Sequence, residues 1–129
     1  MIAEFTKSRV RERAGDRCEY CQLHQDDSPL ASLHIEHIVP KKHGGSDDLD
    51  NLALACIDCN LHKGPNLTGI DPETNEVTEL FHPRRQRWSN HFVWDGIYIV
   101  GQTAIGRTTV RVLDMNSDDQ LALRSAGAK

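Results

Sequence analysis

Aromatic side chains are scarce in this 129-residue chain: three Phe, two Tyr and two Trp make up 5% of it. Long apolar runs are missing too. No stretch reaches the roughly 18 apolar residues of a membrane-spanning helix. A basic excess is also absent, since 15 Lys and Arg face 19 Asp and Glu for a net charge of -4. This argues against coating nucleic acid by bulk charge, although charge placement matters more than the sum. The opening Met1-Ile2-Ala3-Glu4-Phe5 has no basic leader before an apolar run, so no signal peptide and a cytoplasmic location are expected. There is no internal repeat. The length fits one compact domain and is too short for a (β/α)₈ barrel or a full dinucleotide-binding fold. With few aromatics, such a chain is a candidate for stapling by metal or disulfide.

Cysteine is what the chain does have, in two pairs, Cys18-x-x-Cys21 and Cys56-x-x-Cys59, with 34 residues between them. Each pair supplies two thiolates from one turn, and two such pairs can converge on one tetrahedral Zn²⁺. Disulfides are the alternative, disfavoured in a reducing compartment. Four thiolates leave no open position, so this ion is structural and any chemistry comes from elsewhere.

The spacing predicts a short charged helix over 6–15, capped by Thr6 and ended by Gly15. It further predicts a strand from Leu33 to Val39 closed by Pro40, a polar loop over 41–50, and a short apolar segment from Asn51 to Ala55. A helix over Cys56–Lys63 stops at Gly64-Pro65. Beyond 65, strands are expected over Val77–Phe81, Phe92–Val100 and Thr108–Leu113, and a helix over Asn116–Ala122. The fold class is therefore α+β, one domain over 1–129, with a core of about 16–64 and a small β-rich extension over 65–129.

Between the cysteine pairs lies His34-Ile35-Glu36-His37-Ile38-Val39-Pro40. Adjacent Glu36 and His37 point to opposite faces of an ideal strand and can serve different roles. Asn60 follows Cys59 on the short helix, which the knuckle pins against this strand. A carboxylate from the strand and an amide oxygen from the helix can share one hard ion, Mg²⁺ or Mn²⁺. His34 shares a side with Glu36 and is a further possible metal ligand.

The run HIEHIVPKKHGGSDDLDNLALACIDCNLHKG, with the preceding cysteine pair, resembles the HNH endonuclease family and its ββα-metal core. The resemblance covers roughly 16–64. It implies that His37 is the general base, that Glu36 (where the family often has Asp) and Asn60 hold the catalytic ion, and that Asn51 braces the loop orienting the histidine. It implies that Cys18, Cys21, Cys56 and Cys59 bind structural zinc. The implied activity is hydrolysis of DNA phosphodiesters to 5′-phosphate and 3′-hydroxyl ends. Histidine, whose ordinary titration range lies near neutrality, suits the base role, and one divalent ion can neutralise the phosphate and the leaving oxygen.

Lys41, Lys42, Lys63, Arg84, Arg85 and Arg87 are candidate nucleic-acid contacts, and Arg9 and Arg13 a possible positive edge on the first helix. The competing function is a zinc-stabilised nucleic-acid-binding module without cleavage. No heptad pattern supports a dimer, so the chain is read as a monomer or weak dimer.

Overall fold

The computed structural model describes residues 2–28 and 30–127. Helix α1 (Glu4–Ala14) begins two residues before the expected start. Ala3 is its N-cap and makes no side-chain bond, so Thr6 lies inside the helix rather than capping it. Gly15 ends it in the left-handed conformation, as expected. Only Val10 of α1 is buried, so the helix has no apolar stripe to seat it. Its arginines do that work. Arg11 donates to the Leu33 carbonyl at 2.9 Å, and Arg13 donates to those of Leu49 at 3.1 Å and Leu52 at 2.7 Å. The positive edge expected of Arg13 is thereby spent on backbone oxygens.

Strand β1 (His34–His37) pairs antiparallel with β2 (Leu52–Ala55), with His37 opposite Leu52 and His34 opposite Ala55. All four residues of β2 are buried, and it is the innermost strand. Cys56 caps α2 (Ile57–Lys63), its sulfur accepting the Cys59 amide at 3.4 Å. Helix α2 lies back against β1, which completes a ββα unit.

The extension is mixed rather than β-rich. A hairpin of β3 (Thr68–Ile70) and β4 (Val77–Glu79) leads to the short α3 (Trp88–His91) and a second hairpin, β5 (Phe92–Asp95) and β6 (Tyr98–Gly101). The single strand expected over Phe92–Val100 is therefore two, folded at Gly96 (φ 61°). The strand expected over Thr108–Leu113 is instead part of a helix, α4 (Ala104–Val112). Its β-branched residues suggested a strand, but Thr103 caps the helix by accepting the Gly106 amide. One face then buries Thr108 and Thr109, and the Thr109 hydroxyl donates to the Ile105 carbonyl at 2.7 Å. Helix α5 (Asp118–Gly127) closes the chain.

One hydrophobic cluster joins the two parts. It runs from Val10, Tyr20, Leu52 and Leu54 through the four cysteines to Phe81, Phe92, Ile99, Leu113 and Met115. The turn before β4 is fixed to α4 by Asp71, wholly buried, whose carboxylate takes two bonds from Arg107 at 3.0 and 2.8 Å. No helix among the described residues is long and apolar enough to cross a membrane.

Candidate active site and metal centre

The cysteine cluster forms where two turns meet. In the first, the Cys18 amide donates to Leu23 O at 2.8 Å, and Gln22, at φ 70°, donates back to Cys18 O at 2.9 Å. The Cys21 amide then points at the Cys18 sulfur at 3.4 Å. The second turn is the start of α2. All four sulfurs are buried, lie within 4.8 Å of one another, and are in no disulfide. Burial pushes the Cys18 thiol up, and its hydrogen bond with Cys18 does the same for Cys59. Hydrogen bonds from the other three cysteines pull the Cys56 thiol well below its ordinary range. Four soft donors converging in a dry core fit Zn²⁺, which would let all four be thiolates.

A residue of the far end of the chain completes this centre. Gln120 of α5 is fully buried, and its amide nitrogen lies 3.5 Å from Cys56 Sγ, 3.7 Å from Cys21 Sγ and 3.8 Å from Cys59 Sγ. Its two N–H groups lie within donor reach of three of the four sulfurs. Nothing in the local sequence signals this role, because Gln120 lies 61 residues beyond Cys59.

Around His37 the backbone dictates the geometry. After Pro40 the chain makes one turn of 3₁₀-helix over Lys41–His43, which ends at Gly44 with φ 86°. The Gly45 amide then closes back on Pro40 O at 3.0 Å. A Cβ at 45 would overlap the Val39 carbonyl, so only glycine permits this approach. Asn51 locks the loop. Its Oδ1 accepts the Val39 amide at 2.8 Å, and its Nδ2 donates to Val39 O at 3.0 Å and Ser46 O at 2.8 Å. The turn thus folded carries Asp47 back to β1, where its Oδ1 lies 2.7 Å from His37 Nε2 and 3.0 Å from Lys41 Nζ. The His37 bond is the main cause holding the Asp47 carboxyl down to about 2. With Asp47 anionic, Nε2 carries the proton and Nδ1 is the basic atom of the neutral ring. Asp47 was not among the residues the sequence singled out. Its only signal is its place just after Gly44-Gly45-Ser46, in a stretch with two other acids, Asp48 and Asp50.

The other face of β1 meets α2. His34 Nδ1 lies 3.3 Å from Asn60 Nδ2. Glu36, 5% exposed, accepts the Tyr20 hydroxyl at 2.7 Å, and its second oxygen is ion-paired with Lys63 Nζ at 2.7 Å. Burial pushes the Glu36 carboxyl up, against the pull of Lys63 and Tyr20. Lys63 is 2% exposed and also donates to Ile38 O at 2.8 Å. The expectation that Lys63 contacts nucleic acid is therefore corrected: its ammonium is sealed in the core by Glu36. The structure brings Asn60 to His34, and Glu36 to Tyr20 and Lys63.

A cavity of about 620 Å³ opens beside His37 and is also lined by His34, Lys41, Asp47, Arg11 and Lys7. Of the expected basic contacts, Lys41, Lys42, Arg85 and Arg87 are exposed. Arg84 is 15% exposed and engaged by Glu19, which also accepts the Leu54 amide at 2.8 Å. Its guanidinium ties the extension to the first cysteine turn.

The profile of the HNH endonuclease family matches residues 18–66. The Septu protein PtuB of Bacillus thuringiensis is 27% identical over 119 residues, which cover 91% of this chain and 43% of that protein. The chain thus spans less than half the length of this curated relative. No solved structure matches. The match to the HNH endonuclease family is carried by residues 18–66, the stretch that holds the ββα unit and the four-cysteine cluster.

Proposed function

We propose that this chain is a metal-dependent endonuclease acting on DNA, with His37 as the general base. The observation that carries the reading is the His37–Asp47 contact at the mouth of a cavity edged by Lys41, Arg11 and Lys7. Asp47 fixes the ring with Nε2–H toward itself, so Nδ1 is the atom that takes the proton from water. The water oxygen bonds to phosphorus as the bond to the 3′ oxygen breaks. The leaving oxygen gains a proton from solvent, and 5′-phosphate and 3′-hydroxyl ends result.

A divalent ion such as Mg²⁺ or Mn²⁺ would supply charge neutralisation at the phosphate and the leaving oxygen. In this reading His34 and Asn60 would hold it, with the Asn60 amide turned to offer its oxygen; their 3.3 Å approach supports the pairing. Glu36, expected as a ligand, serves in this reading through Lys63, anchoring α2 and therefore Asn60 to β1. Gly45 and Asn51 set the loop that presents Asp47. Zinc at the four cysteines is structural. The chain works as one nuclease domain in the cytoplasm. With one such site per chain, cutting both strands takes two events or two molecules.

The test is cleavage of supercoiled plasmid by zinc-loaded protein, with and without Mg²⁺ or Mn²⁺. Metal-dependent nicking is expected. Failure of the folded, zinc-loaded protein to cut any DNA offered would favour the binding module.

A further inference from the structure

A cavity larger than the one at His37 lies elsewhere among the described residues. It measures about 840 Å³, lies between the first cysteine turn and the extension, and shares no lining residue with the His37 cavity. Its wall is aromatic. Trp88 stacks between Phe92 and Trp94, with ring centroids 5.1 and 5.6 Å away and planes tilted by 30° and 37°. The inner end of this ladder, Phe92, is buried, while the outer end, Trp94, is 45% exposed. Trp88 is held by its indole N–H, which donates to Tyr20 O at 2.7 Å.

Its charge is cationic in a chain that is acidic overall. Arg17, Arg87 and Arg124 line it against one carboxylate, Asp27. Arg124 sits 5.7 Å from the Trp94 ring centroid. Its guanidinium is pinned by the carbonyls of Ile97 and Met115 and by Asn116 Oδ1, and its buried Nε finds no hydrogen-bond partner. No carboxylate pairs with it among the described residues, so its charge is fixed and uncompensated. Arg17 and Arg87 are exposed, and Arg87 has no side-chain partner among the described residues.

A half-exposed indole beside fixed and rim guanidinium groups fits a planar π-system carrying negative charge. We propose that this cavity binds an unpaired nucleotide, its base stacked on Trp94 and its flanking phosphates held by Arg17 and Arg87. In a duplex both faces of each base are covered by its neighbours, so the base that reaches Trp94 belongs to a single-stranded or opened stretch. Two rim cations suit phosphates on a continuing strand better than the one of a free mononucleotide. This site rests on the nuclease reading and deepens it: the substrate carries an unpaired segment, anchored away from His37.

The chain has two tryptophans, and both line this cavity, so intrinsic fluorescence reports on it directly. The zinc-loaded full chain, without Mg²⁺ or Mn²⁺, is titrated with a single-stranded DNA oligonucleotide, its blunt duplex and a deoxynucleoside monophosphate. The single strand is expected to quench the fluorescence and bind at least about tenfold tighter than either. By anisotropy of a labelled strand, Trp94→Ala should weaken binding by about 5- to 100-fold, and Trp94→Phe should restore most of it. Zinc content and circular dichroism confirm that both variants fold. Equal or tighter duplex binding, or an unchanged affinity in Trp94→Ala, overturns the proposal. Equal affinity for the monophosphate overturns the strand as its source. Plasmid cleavage is assayed in parallel: cutting without Trp94-dependent strand binding overturns this site alone, whereas Trp94-dependent binding without cutting overturns the nuclease reading alone.

Discussion

His37 Nε2 and Asp47 Oδ1 lie 2.7 Å apart, joined across a loop that Gly45 and Asn51 make possible. The contact selects the tautomer, so removing the charge of Asp47 while keeping its shape should harm catalysis more than folding. Asp47→Asn is expected to keep its zinc and its melting temperature within a few degrees and to lose more than about tenfold in kcat. Unchanged kcat with normal folding would show that Asp47 does not set the ring.

Glu36 and Lys63 form a buried ion pair, and breaking one half leaves the other uncompensated. Lys63→Met is expected to cost about 3–5 kcal/mol of stability, read from urea denaturation. The double variant Glu36→Gln/Lys63→Met should recover much of that loss. An additive double variant would mean that the two side chains contribute independently.

The ββα unit was legible because its signals are local. The two cysteine pairs, His37, Pro40, Gly44-Gly45 and Asn51 follow one another in a fixed order, and the helix starting at Cys56 caps itself. What the sequence hid is decided across long distances. Helix α4 reads as a strand until Thr103 caps it and Gly69 makes room for its Val112. Lys63 reads as a phosphate contact until Glu36 is seen opposite it. Asp47 is one acid among several until the loop folds. Arg84 belongs to an Arg-rich run, yet Glu19, 65 residues away, claims it.

Gln120 tests the link between extension and metal centre. Its amide nitrogen sits 3.5 to 3.8 Å from three cysteine sulfurs. Gln120→Leu keeps the bulk and removes the donors, and should release zinc to a chromogenic chelator roughly 10- to 100-fold faster. Release at the native rate would reduce Gln120 to packing.

Asp71 predicts an acid limb. Two bonds from Arg107 hold its carboxyl well below the ordinary value of 3.8. A carboxylate depressed on folding contributes stability that is full above its unfolded pKa and is lost as pH falls through the folded one. Between pH 4 and pH 2, Asp71→Asn should therefore lose less stability with falling pH than the native chain, while being less stable at pH 7. Parallel melting-temperature curves for the two proteins would contradict this.

The central claim is that His37 takes the proton from the attacking water. It is tested most directly by single-turnover cleavage of plasmid with Mg²⁺ or Mn²⁺, comparing native protein with His37→Ala after zinc analysis shows both to be loaded. The account predicts a loss of about 10²- to 10⁴-fold in His37→Ala, with partial recovery on adding imidazole. Metal-dependent cutting by His37→Ala at the native rate would contradict it.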